Sequence, residues 1–343
     1  MKSPKQYIGF ALLVFLGGMM SSCVKEKIGE KQGNAVVDLT FHTRSESDVN
    51  ANGENDAPIA DNENFKTIRV IVTDGSNKIL KNIYDENLPE GGVTEYKLRI
   101  VNLPADEPLK FYVVGNEESV GKGDYLSQLK SGESLASTEV INSGAASYFP
   151  KMRNQINELG LPITGVAEVQ SLAGDVNTPH HLDISCTHSV VKVVLNINNL
   201  MEKTTFRITE VHLGKFITNG TYLFSQESSS LPENVSTEEH AFVATTQGIQ
   251  VEPGENNEAF VFYMYETGDI PYDDYSLWLN SSTVPELKEP KYIFGEGEGS
   301  KFLKRNQQLN INATIDVQKE VTVSITYKVM EWNPVSVEVP SFN

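Results

Sequence analysis

The most regular hydrophobic pattern of the chain runs from Val321 to Val329, where apolar and polar side chains alternate without a break. Successive side chains of an extended strand point to opposite faces, so this segment predicts a half-buried β-strand. Other segments enriched in β-branched or aromatic residues also predict strands. They are Ile68 to Val72, Tyr96 to Val101, Leu109 to Val114, Val190 to Ile197, Phe206 to Leu213, Phe260 to Tyr265, Ser276 to Leu279 and Leu309 to Val317.

Helical periodicity is scarce and is confined to two short segments, Tyr125 to Leu129 and Met152 to Leu159. Turn signals such as Asp74-Gly75 separate the strands. Many short strands with almost no helix predict an all-β fold of antiparallel β-sandwiches. At about 150 residues per domain, a chain of 343 residues predicts two such domains in tandem, residues 45–180 and 181–343.

A further alternating segment, Ala35 to Arg44, places Val37, Leu39 and Phe41 on one face of a predicted strand. About twenty residues follow it, nearly all polar, which is more than compact domains normally allow without a functional reason. Arg44 stands at the start of this polar loop, where it is open to a trypsin-like protease. A cut there would leave the first strand held only by non-covalent contacts.

The other end of the sequence also alternates. Val335, Val337 and Val339 are separated by polar residues, shortly before Phe342. The chain is therefore expected to end in a strand with no element after it.

The first 22 residues have the features of an export signal. A positive region with Lys2 and Lys5 precedes an apolar stretch from Ile8 to Leu16, as in signal peptides. Small residues then precede Cys23, which resembles a lipobox, a site of cleavage and cysteine acylation. Several acyl chains on one cysteine anchor a protein stably, so residues 23–44 are expected to hold a membrane tether and the first strand. The alternative is an ordinary secretory signal with a chance cysteine.

Composition removes several classes of function. The chain carries 46 acidic and 28 basic side chains, a net charge of -18, which argues against binding to nucleic acid. Its longest apolar run is shorter than the roughly 20 residues that a membrane-spanning helix needs. Cys23 and Cys186 are its only cysteines, which excludes a disulfide framework.

Catalytic and metal-binding patterns are incomplete in this sequence. The loop from Asp48 begins like an EF-hand but has Ile59 where a bidentate Glu is required. Ser189 and Lys192 have the spacing of a serine hydrolase motif, but they fall in a predicted strand that turns them to opposite faces. Cys186 is expected to be a buried thiol. We predict no enzyme activity, no metal site and no cofactor.

In sequence order, seven short motifs resemble those of the fimbrillins, the pilin subunits of type V pili. The resemblance extends from the lipobox to the last residues. The motifs are Ile68 to Val72, Phe111 to Glu117, Leu161 to Gly165, Ser189 to Val193, Phe262 to Glu266, Lys304 to Asn306 and Tyr327 to Trp332. The family often has arginine where this chain has His188, and alanine where it has Val191, which places the chain at some distance from the best-known members.

The resemblance implies a fold of transthyretin-like β-sandwiches and a fimbrial life cycle. The subunit would be a lipoprotein of the outer membrane through Cys23, and a surface arginine-specific protease would cut between Arg44 and Ser45. Release of the first strand, with Val37, Leu39 and Phe41, would open a groove for a strand of another fimbrial subunit. That donor would be Val335 to Phe342, alone or with Val321 to Val329, in a fimbrium that supports adhesion.

A second hypothesis keeps the lipid anchor but not the polymer. The chain would then be a surface protein that binds a glycan or host ligand, or a non-polymerising fimbrial anchor. Trp278, on the face opposite two leucines, is the candidate stacking platform; the alternative is a Trp that covers another sheet or a domain seam.

Overall fold

The computed structural model describes residues 34–43, 63–135, 140–142, 149–156, 158–175, 177–217, 220–225, 231–233, 235, 237–243, 248–267, 276–283, 292–293, 303–316 and 322–331. Several predicted features lie outside these residues. They are the signal segment with Cys23, the processing site Arg44 and Ser45, the half EF-hand loop, and Val335, Val337, Val339 and Phe342.

The first half of the described chain contains ten strands and one short α-helix, α1, at Gly123–Gln128. The strands are β1 (Asn34–His42), β2 (Ile68–Asp74), β3 (Ile79–Asp85), β4 (Glu95–Pro104), β5 (Leu109–Gly115), β6 (Val140–Asn142), β7 (Lys151–Met152), β8 (Ile163–Val169), β9 (His180–Ser185) and β10 (Thr187–His188). Short 3-10 helices cover Glu117–Val120 and Arg153–Gln155.

The second half consists of strands alone among its described residues. They are β11 (Val191–Asn199), β12 (Phe206–Ile217), β13 (Gly220–Tyr222), β14 (Thr237–Val243), β15 (Ile249–Val251), β16 (Asn256–Met264), β17 (Ser276–Ser281), β18 (Tyr292–Ile293), β19 (Gln307–Asp316) and β20 (Thr322–Glu331). The predicted all-β fold is confirmed. No described helix is long and apolar enough to cross a membrane.

The strands of the first half form a sandwich. A three-stranded sheet in the order β4-β1-β9 faces a five-stranded sheet in the order β10-β8-β5-β2-β3. One apolar cluster fills the space between them, with Val37 from β1, Val70 from β2 and Phe111 from β5 among its members. The alternating pattern of the sequence produces this core because every second side chain of each strand points inward.

The strands of the second half form another sandwich around a second apolar cluster. One sheet has the order β20-β19-β11-β16-β7, and the other has the order β14-β12-β17-β18 with β15 also paired to β12. Most neighbouring strands are antiparallel, as predicted. Two pairs are parallel instead, β1 with β9 and β11 with β19.

A third apolar cluster joins the two sandwiches. It includes Tyr112 and Val114 from β5 and Val194 and Tyr263 from β11 and β16. Strand pairing also crosses this seam, since β6 pairs with β13 and β7 pairs with β16. From β11 onward the pairing partners belong mainly to the second half. The division into domains at residues 45–180 and 181–343 stays a prediction.

One predicted element is wrong in kind. The periodicity predicts a helix from Met152 to Leu159, but Lys151–Met152 pairs with β16, and among the described residues of this segment only Arg153–Gln155 forms a 3-10 helix. Pairing with a neighbouring strand here overrides the local helical periodicity. The other predicted helix, Tyr125 to Leu129, is confirmed within one to two residues by α1.

Candidate functional site

The first strand is the central strand of its sheet, and this position makes it the candidate site. On one side β1 runs antiparallel to β4, with Val37 opposite Ile100 and His42 opposite Glu95. On the other side it runs parallel to β9, from Val37 opposite His180 to His42 opposite Ser185. Loss of β1 would therefore leave the facing edges of β4 and β9 unpaired.

The inner face of β1 is fully buried. Ala35, Val37, Leu39 and Phe41 are each at most 1% exposed and belong to the core of the first sandwich. The ring of Phe41 stacks on Tyr96 of β4, with centroids 6.2 Å apart. Burial of the three larger side chains contributes about 1.5–3 kcal/mol each, or roughly 5–9 kcal/mol together. The strand and its inward face agree with the prediction from alternation.

The outer face of β1 carries a cross-strand ion pair. The guanidinium of Arg99 donates two hydrogen bonds to the carboxylate of Asp38, at 2.6 and 2.7 Å. These bonds hold the pKa of Asp38 below its usual value. His181 of β9 approaches the same carboxylate at 3.9 Å, so Asp38 faces a partner on each neighbouring strand. The apolar face specifies the register of β1, because a slip of one residue would turn it to solvent, and it also contributes most of the stability of the strand; the exposed ion pair contributes little.

The two ends of the polar loop meet at one place. After β1, the backbone N–H of Thr43 donates to the carbonyl of Thr94 at 3.0 Å. Phe65 exchanges two backbone hydrogen bonds with Val93, both 2.9 Å long. Because Val93 and Thr94 are consecutive, Thr43 and Phe65 are held at adjacent positions of the sandwich. The predicted processing site, Arg44, follows the first of these two anchors directly in sequence.

The side chain of Asn116 forms hydrogen bonds with residues 64–67, the segment at the end of the polar loop. Its side-chain oxygen accepts hydrogen bonds from the backbone N–H groups of Lys66 and Thr67, at 2.7 and 3.2 Å. Its side-chain nitrogen donates to the carbonyls of Asn64 and Leu161, at 2.9 and 2.7 Å. All donors and acceptors of this amide are used, and a left-handed backbone (φ 57°) at Asn116 aims it at the segment.

Glu63 connects the end of the polar loop to strands of the second half through two hydrogen bonds. Its carboxylate accepts a hydrogen bond from Nζ of Lys192 on β11 at 2.8 Å and one from the hydroxyl of Tyr263 on β16 at 3.2 Å. Lys192 is completely buried and Glu63 is 4% exposed. Each charge therefore depends on the other for stabilisation, because neither is in contact with bulk water.

His188 completes this buried group. Its Nε2 lies 3.0 Å from the backbone carbonyl of Glu63, and its backbone N–H donates to the side chain of Asn306 at 3.2 Å. Burial lowers the pKa of His188 below the ordinary value for an imidazole, and the nearby charge of Lys192 also lowers it. The imidazole is therefore neutral at neutral pH. Glu63, Lys192, Tyr263 and His188 are called the seam cluster below.

Three comparisons relate this architecture to known proteins. No family model matches the chain, and no curated protein matches it. A fimbrial assembly protein from Parabacteroides distasonis has a similar structure, with a TM-score of 0.53 and 14% identity over 87% of this chain and 99% of that one. The tip fimbrial protein Mfa3 from Porphyromonas gingivalis, with a C-terminal truncation, gives 0.55 and 14% over 87% and 100%.

This chain has the fold of fimbrial proteins. The predicted resemblance to fimbrillins is thus confirmed for the fold, with coverage of nearly the whole length of both neighbours.

The predicted site residues have different outcomes in the structure. Val37, Leu39 and Phe41 lie together in one core. Trp278 lies on β17, half-buried, with the ring of His212 stacked on it at 5.0 Å between centroids. Its role as a ligand platform stays a prediction. Cys186 is the buried thiol that was expected, and burial raises its pKa.

Sequence reasoning missed the seam cluster. In the sequence, Lys192 belongs to an incomplete Ser-x-x-Lys pattern. In the structure Ser189 and Lys192 have separate hydrogen-bond partners, Thr164 and Glu63. A lysine between valines in a predicted strand was the one available signal of a buried charge. Its partner is 129 positions away, at the end of a polar loop, and no local pattern identifies it.

Proposed function

We propose that this chain is a structural subunit of a cell-surface fimbrium. In this proposal it is exported as a lipoprotein acylated on Cys23, cut between Arg44 and Ser45 by a surface arginine-specific protease, and polymerised by donor-strand exchange. The fimbrium would support adhesion. The observation that carries the proposal is the position of β1, a central strand whose inner face is fully buried and which is followed in the sequence by a long polar segment.

Removal of β1 would create a binding site of defined shape. The vacated groove would have the unpaired edge of β4 on one side and that of β9 on the other. Its floor would be the apolar face that Val37, Leu39 and Phe41 now cover. A groove of this kind binds an extended segment through backbone hydrogen bonds and through pockets for alternate side chains.

The last residues of a second subunit have the pattern that this groove requires. Val335, Val337 and Val339 present one apolar face, with Phe342 beyond them. The alternative donor, Val321 to Val329, forms most of β20, which is already paired with β19 of its own chain over its whole length. This pairing favours Val335 to Phe342 as the donated strand.

Donation from one subunit to the next would build a filament. The contact is heterologous, since the groove of one copy meets the tail of another, and repeated contacts of this type do not close. The partners would be further copies of this chain or related fimbrial subunits. Each subunit would move from a lipid-anchored state at the outer membrane into the fimbrium when β1 is removed.

The test is processing and assembly of the purified full chain in vitro. We expect an arginine-specific protease to release residues up to Arg44 and to produce ladders of oligomers on native gels. Arg44→Ala should stay monomeric, whereas Arg44→Lys should stay monomeric with the arginine-specific enzyme but assemble after trypsin. Normal ladders from Arg44→Ala would refute the proposed cut, and ladders from a chain that lacks residues 335–343 would refute the proposed donor.

A further inference from the structure

The groove that β1 would leave has inward positions in a single row. They are those of Ala35, Val37, Leu39 and Phe41, each at most 1% exposed. Because side chains alternate along a strand, a slip by one residue turns an apolar face to solvent, but a slip by two keeps it inside. An incoming strand could therefore lie in more than one register and in either direction. Polar features of the groove must select among these placements.

Arg99 of β4 and His181 of β9 flank the outer side of the groove. In the intact chain both approach the carboxylate of Asp38, at 2.6 and 3.9 Å. Removal of β1 would take this carboxylate away from both of them. A strand that brings one acidic side chain to the position of Asp38 would restore the ion pair with Arg99.

The pairing of β1 is irregular at one position. The register with β4 shifts between Ala35 and Val37, and pairing with β9 begins only at Val37. Val36 therefore lies outside the regular part of the ladder, whereas every residue from Val37 to His42 is paired on both sides. Proline has no backbone N–H, so within a sheet it is confined to edge strands, first residues and irregular positions of this kind.

Residues 335–342, called the tail below, contain one acidic residue and one proline at a fixed spacing. Glu338 lies between Val337 and Val339, and Pro340 follows Glu338 by two positions. The three valines, which include Val335, fit the four inward positions of the groove in two registers for each direction. This gives four placements that keep all three valines inside.

Both placements in the direction of β1 conflict with the groove. One of them brings Pro340 to the position of Thr40, which is paired with β4 and with β9. The other begins two positions later in the groove and brings Asn333 to the position of Ala35. That position is completely buried, so a polar side chain would be costly there.

The two reversed placements differ in the position of the carboxylate. One brings Glu338 to the position of Val36, which is 6% exposed, so the charge would be buried without compensation. The other brings Glu338 to the position of Asp38 and Pro340 to the position of Val36, where the ladder is irregular. Of the four placements, this one satisfies both the charged and the irregular position.

We propose that the tail enters the groove of the next subunit in the direction opposite to β1, with Glu338 between Arg99 and His181. This placement depends on the proposed function, which supplies both the groove and the tail. Val335 takes the place of Phe41, and Arg99 is the residue of the groove that determines specificity. A partner subunit would therefore need a tail with an acidic residue between two β-branched residues and a proline two positions after the acid.

The first experiment exchanges charges in the full chain, cut in vitro by an arginine-specific protease and followed by ladders on native gels. Glu338→Lys and Arg99→Glu should each slow assembly by about two- to fivefold, the effect of one exposed ion pair. The double variant should restore the rate. Lys97→Glu is the matched control, because Lys97 is an exposed residue of β4 opposite Thr40 and should not restore assembly of Glu338→Lys.

The second experiment determines the direction of the tail from the size of the pockets. Val335→Phe should slow the dissociation of oligomers in urea by about tenfold, because the ring fills the place of Phe41 beside Tyr96. Val339→Phe falls at the place of Val37 and should bring no such gain, since the core there has no room for a larger side chain.

The outcomes separate this placement from the proposed function. A wild-type chain that is cut but forms no ladder would refute the proposed function and the placement with it. Wild-type ladders with charge variants that all assemble at the same rate would overturn the placement alone. So would a gain from Val339→Phe instead of Val335→Phe, which is the result expected for a tail in the direction of β1. The phenylalanine pair changes the tail only, so it stays decisive if Arg99→Glu does not fold.

Discussion

The largest change in the free energy of unfolding is expected from a substitution in the seam cluster. In Lys192→Met the buried carboxylate of Glu63 loses the ammonium group that lies 2.8 Å from it and keeps the hydroxyl of Tyr263. Removal of one partner from a buried ion pair typically costs about 3–5 kcal/mol, because the remaining charge is uncompensated. Both residues are nearly inaccessible to solvent, so we expect the change to fall within this range.

The double variant Glu63→Gln with Lys192→Met separates this cost from a simple loss of packing. It removes both charges, so we expect it to be considerably more stable than Lys192→Met alone. The assay is equilibrium unfolding in urea, followed by circular dichroism. Arg99→Met is the matched control, because this arginine belongs to an exposed ion pair and its loss should leave the unfolding midpoint nearly unchanged.

The reasoning would be refuted by either of two results. One is a loss of less than about 1 kcal/mol in Lys192→Met, which would mean that water reaches Glu63. The other is strict additivity of the two substitutions, which would mean that the charges do not interact. A single unfolding transition is also expected for the wild type, since the seam cluster and the third apolar core join both halves.

Three further predictions concern single residues. His188 faces Glu63, Lys192 and Asn306, and its pKa in the folded chain is lowered. As pH falls, the unfolded chain therefore binds a proton before the folded chain does, and the free energy of unfolding should decline below about pH 6.5. His188→Gln should flatten this decline in thermal melts recorded at a series of pH values. Gly115→Ala should cost about 1–3 kcal/mol in urea unfolding, because its methyl group would come within 2.5 Å of the Phe65 ring. Phe41→Ala should cost about 3–5 kcal/mol by the same assay.

The local features of the fold follow from the sequence, because they depend on neighbouring residues. Apolar and polar residues alternate with a period of two in β1 and in β20, and this period predicts a strand and not a helix. The same alternation identifies the side chains of β1 that point inward. The turn at Asp74-Gly75 is equally local, since it joins two strands that pair with each other.

The partners of these elements could not be predicted in the same way. The parallel pairing of β1 with β9 joins residues more than 140 positions apart, and nothing in either segment specifies the other. Asn116 and Glu63, which anchor the end of the loop, are polar residues whose importance comes from their burial among partners far away in sequence. The hydrogen bond from Asn280 to Glu210 requires the register between β12 and β17, which only the folded sheet defines.

The central claim is that β1 is removed before the subunit joins a fimbrium. The most direct test is the N-terminal sequence and intact mass of the protein recovered from fimbriae at the cell surface. The proposal predicts a chain that begins at Ser45 and carries no lipid. Assembled fimbriae whose subunits still contain residues 34–43, or begin at an acylated Cys23, would contradict it.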